Sequence, residues 1–337
     1  MVPRKPAQIF VTGRMDERQP VSSFATRLKG RHILLSYTSL PFSPAALLRS
    51  ALNRDHHLLT VGADMTPAII NAWNLNNLKE TPKPHDIEVN EMSVNIDCLM
   101  DRMPEDFEPD FFLWVETGIG RAPEQLEKLA VPKAAWFILS HRYLEHHLES
   151  AKAFDVVFVA QHAFIPEFKN HGNQSVFWLP LACDPDMHGN VFAPKQYDVG
   201  FVGSLEDERR ASLLKKLSSE MNVSRKQVFL SEMAEHYSRS RIVFNSVVRN
   251  GLNMRVFEGL CSGSMLLTDP GTGMDELFEH KKHLVIYEDD EILELARYYL
   301  SHESEREKIA QNGRREVLER HTFRHRANEI LRIMTAL

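Results

Sequence analysis

Arg255 and Glu258 lie three positions apart at the predicted start of a helix, directly behind a turn at Asn250-Gly251. On a helix, this spacing puts both side chains on one face, with their Cβ atoms about 5–6 Å apart. A guanidinium group can bind phosphate oxygens through two parallel hydrogen bonds, and a carboxylate accepts hydrogen bonds from vicinal ribose hydroxyls. N–H groups at a helix start also bind phosphate. The spacing alone favours an i,i+3 ion pair on a solvated helix. The setting, an amphipathic helix behind a glycine turn in the second of two α/β domains, favours a nucleoside diphosphate site instead.

Motifs for several other chemistries are missing from the sequence. It contains no GxxxxGK[ST] nucleotide loop, no HExxH zinc-protease motif and no GxSxG hydrolase motif. Residues 117–120 (TGIG) lack the third glycine of a dinucleotide fingerprint, so we interpret them as a turn. His141 and Glu145 would share a helix face, but no catalytic zinc motif has this spacing. We therefore expect no metal site and no cofactor.

Composition limits the class of protein. The chain has 337 residues and a formal net charge of −6, which predicts about two globular domains and argues against nucleic acid as a partner. The longest apolar runs, such as residues 156–160, are far shorter than the roughly 18 residues of a membrane span. Cys98, Cys183 and Cys261 are widely spaced, so we expect three buried, reduced thiols. These observations predict a cytoplasmic protein with no integral membrane association.

Strands that alternate with helices position the charged residues. We interpret residues 1–29 as an N-terminal extension, with a strand at 8–12. Ser43-Pro44 and Thr66-Pro67 each place a proline after an N-cap residue at a helix start, the second helix running through Trp73. Apolar runs predict strands at 32–37, 57–62, 111–115, 134–138, 156–160 and 176–179. This alternation predicts an α/β fold with a doubly wound parallel sheet.

The alternation stops in the proline-containing residues 181–196, which we interpret as an interdomain linker. Beyond the linker, strands are predicted at 199–202, 228–230, 242–245, 265–268 and 284–287. Helices are predicted at 206–221, 253–261, 291–301, 304–320 and 323–334. Two α/β domains should therefore face each other across a cleft, with ligands bound at the carboxyl ends of the strands.

The stretch from Arg255 to Asp269 (RVFEGLCSGSMLLTD) resembles the donor-binding segment of GT-B glycosyltransferases. It is most similar to the CgeB-like (spore maturation protein-like) branch, which has a glycosyl transferases group 1-type C-terminal domain. Further stretches resemble the same branch: 109–110 (PD), 154–161 (FDVVFVAQ), 178–185 (WLPLACDP), 197–204 (YDVGFVGS) and 321–326 (HTFRHR). The resemblance covers roughly residues 30–334.

This resemblance implies a GT-B architecture of two Rossmann-like domains. Residues 30–180 would form the acceptor-side domain, and residues 197–321 the domain that binds the nucleotide sugar. Residues 322–337 would form a terminal helix that crosses back to the first domain. The implied donor-binding residues are Gly203, Ser204, Arg209, Asn253, Met254, Arg255 and Glu258, and Arg210 could also reach the diphosphate.

The resemblance also implies roles for Asn250 and His141. In related retaining enzymes, two acidic residues separated by seven others contact the donor, the later one binding the ribose. Glu258 matches the later residue, and Asn250 stands where the earlier one is expected. Asn250 can hydrogen-bond sugar hydroxyls without a charge, or it can simply form a turn with Gly251. His141 follows the strand at 134–138, where it would contact the donor sugar or lie on the surface.

The implied function is metal-independent glycosyl transfer with retention. The donor would be a nucleotide-diphosphate sugar, with UDP as the first choice on family grounds, and the acceptor a protein or a glycan. Two alternatives remain at this stage. One is another GT-B-type enzyme, a sugar-nucleotide epimerase or a phosphorylase. The other is a catalytically silent module that binds nucleotide sugars, to which the missing acidic residue at Asn250 gives weight.

Overall fold

The structure is a computed structural model that describes residues 30–72, 75, 78–80, 83–89, 93–118, 120–247 and 251–337. Within these residues, two parallel sheets form the framework of the molecule. The first contains β1 (His32–Ser36), β2 (His57–Gly62), β3 (Ile87–Glu88), β4 (Phe111–Val115), β5 (Lys133–Phe137), β6 (Val156–Val159) and β7 (Val176–Trp178). The second contains β8 (Tyr197–Val202), β9 (Val223–Lys226), β10 (Ser240–Phe244), β11 (Met265–Thr268) and β12 (Val285–Ile286). The strand predicted at 8–12 lies outside the described residues.

Helices connect the strands and cover both faces of each sheet. The first seven described helices are α1 (Pro44–Leu52), α2 (Pro67–Ala72), α3 (Ile96–Met100), α4 (Ser140–Ala151), α5 (Ile165–Asn170), α6 (Pro185–His188) and α7 (Glu208–Ser218). They are followed by α8 (Leu230–Ser238), α9 (Met254–Cys261), α10 (Met274–Leu277), α11 (Ile292–Ser301), α12 (Glu303–Arg320) and α13 (Phe323–Met334). Ser43 caps α1 through its side chain, as the Ser-Pro pair predicts. No described helix has the length and apolar composition needed to cross a bilayer.

The first sheet has the strand order β3-β2-β1-β4-β5-β6-β7 and is buried on both faces. Leu35 and Trp136 belong to an apolar cluster on one face, whereas Leu34 and Phe137 belong to a cluster on the other. Adjacent residues of a strand point to opposite faces, so burial on both faces requires continuous apolar strands. This requirement explains why short apolar runs identified these strands in the sequence.

The second sheet has the order β12-β11-β10-β8-β9, with its switch point between β8 and β10. The strand predicted at 228–230 is wrong: the edge strand is β9, and Leu230 begins α8. The β9 sequence, VSRK, is half-exposed or exposed, so it carries no apolar run. The three C-terminal helices agree with the prediction to within one residue.

The chain crosses between the domains twice, and the two crossings lie side by side. The N–H of Cys183 donates to the carbonyl of His321, and the N–H of Phe323 donates to the carbonyl of Cys183. Helix α13 then packs against α1 of the first domain, where Phe323 meets Trp136 edge to face. The terminal helix thus returns to the first domain, as the GT-B architecture requires.

Two further expectations differ from the structure. Cys183 and Cys261 are buried, but Cys98 is exposed on α3, so only two of the three thiols belong to the interior. The linker region contains the short helix α6, which Asp184 caps by accepting the N–H of Asp186.

The carboxyl ends of the strands in the two sheets face each other. Phe42, after β1, stacks on Phe229, after β9, with ring centroids 4.3 Å apart. His162, after β6, lies 3.2 Å from the carboxylate of Glu276 on α10. These contacts define the sides of a cleft between the two sheets, with the strand ends of both sheets at its walls.

Candidate functional site

A glycine turn and an arginine meet at the switch point of the second sheet. Gly203 directly follows β8 and has φ 147°, a conformation that favours glycine. A Cβ atom at this position would lie 2.8 Å from Nη2 of Arg255. The turn therefore needs glycine both for its backbone angle and for the close approach of the guanidinium group. Open α/β sheets bind ligands at such switch points.

Arg255 is held by neutral groups and an aromatic ring. Its Nε donates to the carbonyl of Val202 at 2.9 Å, and its Nη1 donates to Oδ1 of Asn245 at 3.0 Å. Its guanidinium carbon lies 4.9 Å from the centroid of the Phe201 ring. None of these partners is anionic, so the positive charge remains available to a ligand.

The i,i+3 ion pair that was the alternative for this helix does not form. Arg255 and Glu258 are both described, and their charged atoms are not within 4 Å of each other. Their electrostatic coupling persists, because Arg255 opposes the rise in the pKa of Glu258.

Arg210 lies on the same aromatic ring as Arg255. Its guanidinium carbon is 5.8 Å from the centroid of Phe201. Nη1 donates to the carbonyl of Ser204 at 3.3 Å, Nη2 donates to that of Ser246 at 3.5 Å, and Nε has no hydrogen-bond partner among the described residues. Burial lowers the pKa of Arg210, and the charge of Arg255 lowers it further. Two cations that repel each other create a site for an anion.

Arg209 has a different environment. Its guanidinium group binds Asp289 at 2.5 Å and Asp269 at 2.6 Å. These hydrogen bonds, that to Asp289 first, raise the pKa of Arg209. Two carboxylates already compensate its charge, so in this structure Arg209 fixes the Asp269 loop while Arg210 faces the glycine turn.

Helix α9 begins beside the two arginines with its first turn uncapped by a side chain. Asn253 occupies the N-cap position, but its amide donates to Asn245 and to the carbonyl of Ser246 instead. The N–H groups of the first turn thus keep their affinity for an anion. Met254, the first helical residue, packs half-buried against the apolar core.

Glu258 lies one turn into the same helix and is nearly buried. Its side chain is 11% exposed, and Oε1 lies 3.8 Å from Nε2 of His188. Burial raises the pKa of Glu258 to about 7, and the charge of Arg255 opposes this rise. A buried carboxylate with a small exposed fraction is suited to bind ligand hydroxyls, which donate hydrogen bonds without adding charge.

His141 is placed by Gln161, which also contacts the second domain. Oε1 of Gln161 accepts the backbone N–H of His141 at 3.1 Å, and its Nε2 lies 2.6 Å from Nδ1 of the ring. A Cβ at Gly251 would lie 2.6 Å from Nε2 of Gln161. His141 is therefore brought close to the loop after β10. Asn250, the residue before Gly251, lies outside the described residues.

The remaining histidines near His141 do not form a metal site in the described part of the chain. His147 is buried, with Nδ1 3.2 Å from Oγ of Ser140, and burial lowers its pKa to about 3. Nε2 of His147 lies 3.9 Å from Glu116, whose carboxylate accepts the N–H groups of Ile138 and Leu139. Among the described residues, no group of three His, Cys, Asp or Glu side chains could hold an ion.

Sequence reasoning missed three residues of this site: Phe201, Asn245 and His188. Phe201 has the apolar character of any strand residue, so its stacking with arginines leaves no signal. Asn245 directly follows the buried strand β10, and a polar residue in that place is a usable signal of a site. His188 comes from the linker, and its contact with Glu258 depends on the tertiary fold.

A known protein family matches the part of the chain that contains this candidate site. Residues 191–332 match the family described as glycosyl transferase-like. No curated protein sequence matches the chain.

Solved structures resemble the whole fold. A sucrose-phosphate synthase from Thermosynechococcus elongatus has a TM-score of 0.63 and 11% identity, covering 91% of this chain and 98% of its own. An alpha-glucosyltransferase in complex with UDP and DNA has a TM-score of 0.62 and 11% identity, covering 91% and 100%. HepE of Anabaena in complex with UDP-glucose has a TM-score of 0.61 and 14% identity, covering 91% and 100%. The fold is therefore GT-B, and within it residues 191–332 are similar to the glycosyl transferase-like family.

Proposed function

We propose that this protein transfers a sugar from a UDP-sugar to a hydroxyl group of a protein or glycan, with retention and without a bound metal. The observation that carries the proposal is the pair Arg210 and Arg255, which share the Phe201 ring beside Gly203. Neither guanidinium group has a carboxylate within ion-pair distance in the described chain. We assign the chain to the CgeB-like branch on its motifs, and to the cytoplasm because its cysteines are free thiols.

The arginines would act on the leaving group. In the transfer, the bond between C1 of the sugar and the diphosphate breaks, and its electron pair stays on UDP. The acceptor oxygen forms the new bond to C1 on the face from which UDP leaves, and its proton passes to an oxygen of the departing diphosphate. Negative charge grows on the diphosphate during this step. Arg255, Arg210 and the first N–H groups of α9 would stabilise that charge, which is the role that a metal has elsewhere.

Glu258 would bind the ribose hydroxyls, since it follows Arg255 on the same helix and keeps a small accessible fraction. UDP is the proposed nucleotide because solved structures with the same fold are described as complexes with UDP or UDP-glucose. His141 and Asn250 would contact the transferred sugar. The cross-cleft contacts of Phe42 and His162 would help to exclude water, so that the acceptor attacks C1.

The experiment is a binding and turnover assay with a panel of nucleotide sugars. Calorimetry should find that UDP binds more tightly than dUDP, and mass analysis of a cell extract with the UDP-sugar should identify a glycosylated product. Activity should survive EDTA. Loss of activity in EDTA with rescue by a divalent ion would contradict the metal-independent step. UDP-sugar binding without any turnover would identify a silent binding module, and absence of UDP binding would contradict the proposal as a whole.

A further inference from the structure

His188 is a buried histidine whose tautomer is fixed by the structure. The ring lies at the end of α6 in the linker and is 1% exposed. Its Nδ1 accepts the backbone N–H of Asp184 at 3.0 Å. An accepting nitrogen carries no proton, so the neutral ring has its proton on Nε2. Burial lowers the pKa of His188 to about 4, which keeps the ring neutral near pH 7.

The Nε2–H group of this ring has no hydrogen-bond partner among the described residues. The carboxylate oxygen Oε1 of Glu258 lies 3.8 Å from Nε2, which is beyond hydrogen-bond distance by less than 1 Å. A buried donor without a partner is unfavourable, and proteins rarely retain one. A state in which Glu258 moves slightly toward the linker would satisfy it.

The other polar groups around Glu258 make His188 the natural partner. Arg255 lies one turn earlier on α9 and is already held by Val202 and Asn245. Tyr237, fully buried on α8, has its pKa raised by burial and is coupled electrostatically to both Arg255 and Glu258. Within the described chain, Arg255 is the one charged group that bears on the pKa of Glu258. A neutral donor on the linker side can therefore hold one carboxylate oxygen without competing for the ligand.

We propose that His188 is a positioning residue that donates its Nε2–H to the ionised Glu258 carboxylate and so turns the other oxygen toward the ribose. The inference rests on the proposed function and extends it to the linker. Because α6 belongs to the crossing between the domains, this bond connects the ribose contact directly to that crossing. The nucleotide is then recognised through its ribose by a carboxylate whose orientation is set from outside its own helix.

The test compares H188L, which removes the donor, with H188Q, whose amide can replace Nε2–H. H188N is the third variant, because its shorter amide can still accept the N–H of Asp184 but does not reach Glu258. The matched control is H283L. His283 is a second low-exposure histidine whose Nδ1 accepts a backbone N–H from four residues earlier and whose Nε2 faces a glutamate at 4.0 Å. UDP and dUDP affinities are measured by calorimetry between pH 5.5 and 8.5.

H188L and H188N should lower the UDP-over-dUDP preference about tenfold, the loss expected for a hydrogen bond to a charged group. They should also move the midpoint of the pH dependence of UDP affinity to higher pH, because the donor stabilises the charged form of Glu258. H188Q should restore both properties, and H283L should change neither. Unchanged preference and midpoint in H188L and H188N, or the same changes in H283L, would overturn the inference.

A second measurement needs no nucleotide and separates this inference from the proposed function. In a double-mutant cycle of H188L with E258Q, the free energy of unfolding should be non-additive at pH 8.5 and nearly additive at pH 5.5. Additivity at both pH values would overturn the His188–Glu258 bond even if UDP binds. Failure of the wild type to bind UDP, with the non-additivity intact, would contradict only the proposed function.

Discussion

Arg255 differs from most arginines of the second domain because neutral oxygens and an aromatic ring hold it. Carbonyl and amide oxygens fix the direction of the guanidinium group but leave its charge uncompensated. Arg209, by contrast, has two carboxylate partners. The guanidinium group of Arg255 is thus held in place without a counter-charge, which is what the binding of a diphosphate requires.

The first prediction concerns this charge. R255A should weaken UDP binding by about 1.5–3 kcal/mol, the range for hydrogen bonds to charged groups, while the domain remains folded. R239A is the control, since Arg239 forms an ion pair with Glu235 at the C-terminal end of α8. Calorimetry with thermal melting checks both variants. Normal UDP binding by R255A would show that the arginine is structural.

Glu258 supplies a prediction about pH. Its pKa is about 7 in the folded protein against an ordinary value of 4.5, so between these values the folded state binds more protons than the unfolded state. The free energy of unfolding therefore falls as pH rises from about 4.5 to 7. E258Q cannot titrate, so its stability relative to wild type should increase by on the order of 2–3 kcal/mol between pH 5 and 8. Denaturant titrations at both pH values measure this difference in stability. The same difference at pH 5 and pH 8 would contradict the raised pKa of Glu258.

At the scale of elements, sequence patterns predicted the strands and helices that are buried along their whole length or along one face. The strands of the first sheet are apolar on both faces, and the last three helices have the periodicity and breaks that define their ends. The edge strand β9 was missed because its residues are polar and at least half-exposed. The apolar residues just after it were mistaken for a strand, because Phe229 is apolar for a different reason: it stacks on Phe42 across the cleft.

The site could be predicted only where its residues lie on one element. Arg255 and Glu258 share a helix face, so their spacing gave a signal. His188 reaches Glu258 from α6, a helix of four residues in a proline-containing segment, which is too short to produce a period. Phe201 joins the site through the order of β8 and β10, which no local pattern encodes, and Asn245 is marked only by being a polar residue directly after a buried strand.

The terminal helix gives a prediction at this scale. Arg326 on α13 is 7% exposed, and its Nε and Nη2 donate to the carbonyls of Pro180 and Leu181 at 2.6 and 3.0 Å. R326M would leave both buried carbonyls without these donors, so we expect a loss of about 2–4 kcal/mol in the free energy of unfolding. Chemical denaturation measures the loss. R332M is the control on the same helix, since Arg332 forms a surface pair with Glu329 and should change stability by less than about 0.5 kcal/mol.

For the whole molecule, the contact between the domains is itself testable. The stacked pair Phe42 and Phe229 should show a coupling of about 0.5–1.5 kcal/mol in a double-mutant cycle of alanine substitutions, measured by the free energy of unfolding. Phe42 with Phe192, an exposed linker residue that is 84% accessible, should be additive. Additivity of Phe42 and Phe229 would mean that the cleft is open on this side in solution.

The pair of crossings between the domains determines how the cleft can move. A single connecting segment would let one domain rotate in any direction relative to the other. Here the segment at Cys183 is hydrogen-bonded to the segment at His321 and Phe323, and Arg326 fastens the second to the first. Two adjacent segments that are hydrogen-bonded to each other restrict the relative rotation of the domains more than a single segment does. With its rotation restricted in this way, a cleft that closes would bring Gly251 back beside Gln161 and so re-form the two halves of the site together.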